Sequence, residues 1–217
     1  MSKKITLFLI ATFAILIGLY PFIYLIVDRT FGLLQSKSPN LLSNFFWNLG
    51  FYTHIFFGGL SLLIGWIQFN SKIRKQRAKL HRVVGKAYII SVLLSSIAAI
   101  YIAFYATGGV IASLGFIGLG CIWFYTTIKS YFHIKNGDID KHQYMMIYSY
   151  AVCFSAVTLR IYLPLLILLF NDFIKAYLIV AWLCWIPNII VAYFIVKKIQ
   201  MKNNFPNVVL PQVNFSA

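Results

Sequence analysis

The chain has 217 residues, 61% of them apolar and only 11% charged, with a formal net charge of +15 and a mean hydropathy of +0.82. A soluble domain of that length needs far more polar surface, so the composition excludes a soluble fold and indicates a membrane protein. The basic excess sits in short stretches between apolar runs rather than in a separate soluble unit, which excludes nucleic acid as the partner and points to the bilayer.

A helix needs ~20 apolar residues to cross the hydrocarbon core, and six stretches meet that length: 5–27, 47–69, 83–106, 110–133, 144–170 and 173–196. The first run opens like a signal peptide but is too long and lacks an A-x-A cleavage site, so a retained span is expected. The third and fourth spans are joined by little more than Thr107-Gly108-Gly109, and the last two by Asn171 and Asp172. Short links make antiparallel neighbours. The expected fold is all-α, a polytopic membrane protein of six helices with spans two to five as a four-helix core. The whole chain, 1–217, reads as a single integral membrane domain with a tail at 197–217.

Of the 19 Lys and Arg, Arg29, Lys37 and Lys175 fall on one side, Arg160 lies inside the fifth span, and all the others fall on the side that also carries both termini. That side is expected to be cytoplasmic. The basic loop "NSKIRKQRAKLHR", which ends at Arg82, with Lys86 just inside the third span, is placed to meet anionic lipid headgroups. The three Cys, at 121, 153 and 184, are far apart and inside apolar runs; they read as reduced packing residues.

Helical spacing aligns polar and small residues on single faces. In the second span these are Gly50, His54, Gly58, Ser61, Gly65 and Gln68; in the fifth His142, Met146, Ser149, Cys153, Ala156, Arg160 and Pro164; in the third His81, Gly85, Tyr88, Val92, Ser95 and Ala99. The fourth has a small face in Ala112, Gly115 and Gly118. Small residues let membrane helices pack closely, and Ser or Gln can bridge helices without further function. His54 and Arg160 need another reason, since a guanidinium at mid-membrane costs at least ~2.5 kcal/mol by insertion scales. His54 lies ~10 Å and Arg160 ~15 Å from the outer ends of their spans, so both belong to the outer half. The chain has no Glu, and its Asp residues, 28, 138, 140 and 172, all lie outside the apolar runs. The counter-charge of Arg160 must therefore come from carbonyl dipoles, a hydroxyl such as Tyr162, water, or a ligand with an anionic or carbonyl oxygen.

The segments "HIFFGGLSLLIGWIQF", "KLHRVVGKAYIISVL", "TGGVIASLGFIGLGCIWFYTT" and "GDIDKHQYMMIYSYAVCFSAVTLRIYLPL", in that order, resemble a bacterial family of multipass membrane proteins classed as a domain of unknown function. The resemblance covers Gly50 to Pro164, and His54, His81, Arg82, Gly85, His142 and Arg160 match its characteristic positions. It implies a bacterial inner-membrane location. It also implies a basic residue near Tyr148, which this chain lacks.

Several functions compete. A b-type haem needs two imidazoles at equal depth on facing helices, a condition that His81 and His142 meet near the basic face. A quinone or anionic small molecule would be held in the outer half by His54 and Arg160, with His54 exchanging a proton and Arg160 stabilising negative charge. A transporter is weakened by the lack of intramembrane carboxylates and of an internal repeat. Metal handling through His133, His142, His81 and Asp138 or Asp140 is a further option. A scaffold whose buried polar groups only fix packing is the bland one.

Overall fold

The computed structural model describes residues 3–26 and 32–204; Val27 at the end of the first expected span, Asp28, Arg29 and the tail beyond Asn204 lie outside the described residues. Among the described residues six helices are long and apolar enough to cross a membrane: Ile5–Tyr24, Phe45–Phe69, Ala78–Ala103, Gly109–Lys135, Ile139–Phe170 and Phe173–Asn204. Lipid offers backbone N–H and C=O groups no partner, so spanning segments close their hydrogen bonds internally as helices.

The links between spans carry the expected turn chemistry. Gly108 and Gly109 both take positive φ (93° and 71°) between the third and fourth spans, and Asn171 (φ 49°) does so between the fifth and sixth. Side chains close the exposed N–H groups at helix starts. Asn44 accepts from the Trp47 N–H, Asp138 from Lys141 and Asp172 from Lys175.

Several helices outrun the apolar runs that announced them. The third begins at Ala78 rather than Val83 and ends at Ala103 rather than Ala106; the fifth begins at Ile139 rather than Tyr144; the sixth runs on to Asn204. Hydropathy marks the hydrocarbon edge, whereas a helix continues through the headgroup layer where Lys, Arg and His are solvated. His81 and His142 consequently lie in first helical turns. The end of the bundle that carries Lys72–Arg82, His133–Lys141 and Lys197–Lys202 is called the basic end below.

Spans two, three, four and five pack in sequence, and the second also meets the fifth, which closes the four-helix core. The first span lies against the second and fifth, and the sixth against the fourth and fifth. Two apolar clusters result. One joins Ala14, Leu62, Tyr88, Val92, Trp123 and Tyr150, and the other joins Ala112, Leu163, Tyr177, Val180 and Trp185. The small face of the fourth span serves the second cluster rather than the four-helix core, since a Cβ on Gly115 would stand 2.8 Å from the Ala181 carbonyl oxygen of the sixth span.

Two spans are interrupted where they meet. The fifth breaks at Phe154 and the sixth between Leu183 and Ile186, before Pro187. Asn188 bridges the breaks by donating to the carbonyls of Ala151 (3.2 Å) and Cys184 (3.1 Å) and to Thr158 Oγ1 (3.2 Å), while Thr158 donates to the Cys184 carbonyl. Freed backbone groups in broken membrane helices are met by neighbouring side chains in this way.

Gly115→Ala should cost ~1–3 kcal/mol through overpacking against backbone that has no room to yield, lowering the detergent unfolding midpoint by about 4 °C. Gly118→Ala is the control, because its Cβ meets only Trp185 Cζ2 at 3.8 Å. Equal midpoints for the two variants would contradict this packing.

Candidate ligand-binding site

His54 is held by a reciprocal clasp to the third span. Its Nδ1 lies 3.0 Å from Ser95 Oγ and 3.2 Å from the Ser95 carbonyl, while Ser95 Oγ donates to the His54 carbonyl at 3.0 Å. The single hydroxyl proton of Ser95 is committed to that carbonyl. Nδ1 must then be the N–H that serves both Ser95 oxygens, and Nε2 keeps its lone pair for another partner. Gly58, one turn along, makes room: a Cβ there would sit 3.0 Å from Ser95 Oγ.

The same clasp recurs at the basic end. His142 Nδ1 lies 2.8 Å from Ser130 Oγ and 3.0 Å from the Ser130 carbonyl, and Ser130 Oγ donates to the His142 carbonyl at 3.1 Å. His81 differs. With the Gln68 amide turned so that its oxygen accepts from the Gly85 N–H (3.2 Å), its nitrogen donates to His81 Nδ1 at 2.6 Å. His81 therefore carries its proton on Nε2 and offers a donor there, whereas His142 offers a lone pair. The two rings are not prepared as a matched pair of axial ligands.

Arg160 donates from Nη1 to the Ala156 carbonyl at 2.9 Å, and its guanidinium stacks 4.4 Å from the ring centroid of Tyr20 in the first span. A desolvated cation–π contact of this kind contributes ~2 kcal/mol. Tyr162, expected as the hydroxyl partner, is not there. It packs at the second apolar cluster and is absent from the cavity wall, because residues two apart on a helix point in different directions. Among the described residues the ion pairs are His133–Asp138 (4.0 Å) and Lys141–Asp138 (2.8 Å), both at the basic end. Arg160 has no carboxylate there to pair with.

His54 and Arg160 line one cavity of about 250 Å³, enclosed by the first, second, third, fourth and fifth spans with a contribution from Tyr177 of the sixth. Both side chains keep part of their surface accessible even though they lie within the bundle. The wall is otherwise mainly apolar, with Ile17, Leu34, Phe51, Phe116, Leu119 and Val152 among its members. Three lining residues also carry a buried polar atom with no protein partner: Trp47 Nε1, Trp123 Nε1 and Ser155 Oγ. Ser155 follows directly on the break at Phe154. Among the described residues the cavity thus combines one fixed cation, one imidazole lone pair, several N–H or O–H donors and no carboxylate.

Lys37 adds a second cation, which the spacing of polar residues in the spans gave no means of finding. It lies in the link between the first two spans, donates to the Tyr105 carbonyl and to Thr107 Oγ1 (3.0 Å), and lines the cavity. Burial pushes its ammonium down to about 8. Tyr20, Trp47 and Trp123 were likewise unmarked, being indistinguishable in sequence from aromatic residues that face lipid.

The remaining candidates do not join this cavity. Asp138 caps the fifth span and pairs with Lys141, whose ammonium and backbone N–H hold its carboxyl below the usual range. Asp140 accepts from Asn203 at 3.4 Å. Among the described residues no three His, Cys, Asp or Glu side chains converge as a metal site, so the expected metal role of His133, Asp138 and Asp140 finds no support. Arg82 and Lys86 are exposed on the third span at the basic end. Cys121, Cys153 and Cys184 are free thiols, and Cys153 packs in the core against Ser61 Oγ at 3.4 Å.

Six helices among the described residues, each long and apolar enough to cross a membrane, around an internal cavity with a few polar groups mark a multipass membrane protein. Residues 51–196 match the model of the family described as "Predicted membrane protein (DUF2306)", and the chain belongs to that family. No curated protein and no solved structure matches the chain. Tyr20, Pro21, Tyr24 and Lys37 line or adjoin the cavity from outside the matched residues.

Lys37 gives the site a defined pH response. In the folded protein its ammonium is lost near pH 8, against about 10.5 for an unburied lysine. The burial penalty is therefore present in full below pH 8 and is relieved as pH rises from there towards 10.5. The unfolding midpoint of the wild type, less that of Lys37→Met, should climb between pH 7.5 and pH 10 by about 2 °C. A flat difference would show that Lys37 titrates like a solvated lysine.

Proposed function

We propose that the cavity binds a compact small molecule that presents carbonyl or anionic oxygens to Arg160 and Lys37 and a proton-bearing or proton-accepting group to His54, and that a quinone ring is the chemistry that fits best. The observation that carries this reading is Arg160 without a carboxylate partner among the described residues, in a cavity whose described lining adds a second cation and several N–H and O–H groups. A hydrophilic anion would have to shed its water against a mainly apolar wall. A quinone has apolar faces and two carbonyl acceptors, and its reduction develops negative charge where Arg160 stands. His54 Nε2, as neutral imidazole, accepts from a quinol hydroxyl; as imidazolium it donates to a quinone carbonyl.

Haem fits less well. The cavity, at about 250 Å³, is below the ~300 Å³ at which pockets for drug-sized ligands begin, and His54 is the single histidine on its wall. The His81–His142 pair has mismatched ring protons. The excess of Lys and Arg at one end supports a cytoplasmic basic end in a bacterial inner membrane, with the cavity towards the outer half.

Menadione, a quinone without a long chain, titrated against detergent-purified protein should quench tryptophan fluorescence saturably, since Trp47 and Trp123 line the cavity. A hydrogen bond to a charged group contributes ~1.5–3 kcal/mol, so Arg160→Gln should weaken binding by roughly 10-fold or more at unchanged unfolding midpoint. His54→Phe should weaken it too. Equal titrations for all three proteins would remove the reading, and joint loss of binding and assembly would favour a packing role for both residues.

A further inference from the structure

A second opening lies on the outside of the bundle beside the first. It is a groove of about 460 Å³ between the first and second spans, lined by residues from Gly18 to Tyr24 and from Tyr52 to Leu63. Pro21, Tyr24 and Ile55 belong both to this groove and to the wall of the inner cavity. Among the described residues these three border both spaces.

At Gly18 and Gly59 the first two spans touch. A Cβ on Gly59 would stand 2.7 Å from the Gly18 carbonyl oxygen, and a Cβ on Gly18 would stand 2.6 Å from Leu63 Cγ. Beyond Gly18 the α-helix of the first span stops and a 3-10 segment, Tyr20–Leu25, with Pro21 in its first turn, takes over. The 3-10 segment keeps contact with the second span, through Pro21, 3.0 Å from where a Cβ on Gly59 would stand, and through Tyr24, whose ring centroid lies 5.4 Å from that of Phe51, and the groove runs beside these contacts. Phe22 and Phe56 on the groove are 53% and 58% exposed, so the groove faces the lipid.

At the end away from the basic face, Leu33, Leu34 and Lys37 of the link between the first two spans line the cavity. Their segment is tied to the turn after the third span by Ser36 Oγ to Thr107 Oγ1 (2.8 Å) and by Lys37 to the Tyr105 carbonyl. A ligand that reaches Arg160 thus has an apolar approach from the bilayer beside this tethered link.

We propose that the ligand carries a single apolar chain, which leaves the cavity past Pro21, Tyr24 and Ile55 and lies in the groove along Phe22, Thr53, Phe56, Leu60 and Leu63. This rests on the proposed oxygen-headed ligand and narrows it to a lipid-soluble amphiphile that enters sideways from the membrane. The groove follows the second span over a rise of ~16 Å from Tyr52 to Leu63, long enough for one extended chain, and its described lining, apart from the hydroxyls of Tyr24, Tyr52 and Thr53, is apolar and carries no charged side chain to hold a second head. Chain and head therefore belong to one molecule, with the head fixed by Arg160 and the chain left in lipid-like surroundings.

The test is photolabelling in lipid nanodiscs with a naphthoquinone whose alkyl chain, of length matching the groove, carries a diazirine at its middle. Adducts are expected on peptides containing Phe22 and Thr53–Leu63, and excess menadione should suppress them several-fold because it takes the head site. Thr53→Phe, which fills the groove without adding a tryptophan, should reduce the same adducts while leaving the menadione titration unchanged. Menadione-sensitive adducts on Leu33–Lys37 instead would overturn the lateral route and leave the oxygen-headed ligand standing. Groove adducts that menadione does not suppress would show ordinary chain partitioning and overturn the proposal. Failure of the menadione titration itself identifies the head site, rather than the groove, as the part that is wrong.

Discussion

A guanidinium inside an apolar helix bundle, with no carboxylate beside it among the described residues, is the constraint on which the site depends. Arg160 costs at least ~2.5 kcal/mol to place there, and its protein partners are one backbone carbonyl and the face of one tyrosine. A guanidinium has five N–H donors, so most of its capacity is left for what enters the cavity. The first span is recruited to the site through Tyr20, which makes a segment outside the matched family region part of the wall.

Around Arg160 the small residues of the seams have a second use besides close packing. Gly58 leaves room for Ser95 to clasp His54, and the clasp fixes which ring nitrogen keeps its lone pair. Gly18 and Gly59 let the first span come close onto the second beside the groove. The breaks at Phe154 and near Cys184 disturb two helices next to the cavity, and Asn188 and Thr158 compensate them locally. Freedom to interrupt a membrane helix exists only where side chains or a cavity can meet the loose backbone groups.

Much of this was legible in the sequence because lipid imposes simple rules. Apolar length marked the six spans, and helical spacing put His54 and Arg160 on faces that turn inward. The polar faces of the second, third and fifth spans meet as their spacing requires, through His54–Ser95, Ser61–Cys153 and Tyr88–Ser149. The partners of those faces were harder to see. Ser130, which clasps His142, and Thr127, whose Oγ1 meets Ser149 Oγ at 2.6 Å, lie on the fourth span nearer the basic end, beyond the Gly and Ala run that drew attention. Lys37 sits in a link with no periodicity to read, and Tyr20 is one of many aromatic residues in a chain where 18% are aromatic. Tyr162 was tied to Arg160 by nearness in sequence, which on a helix separates rather than joins them. The helix ends moved because hydropathy reports the hydrocarbon layer and not the length of the helix.

The most direct test of the central claim is native mass spectrometry of the protein released gently from its own membranes, wild type beside Arg160→Gln. The account predicts a retained non-covalent adduct on the wild type, of a mass consistent with an oxygen-headed molecule bearing one apolar chain, and its loss from the variant with folding intact. Identical spectra from the two proteins would contradict it, because Arg160 would then be holding nothing that the packing of the bundle does not hold without it.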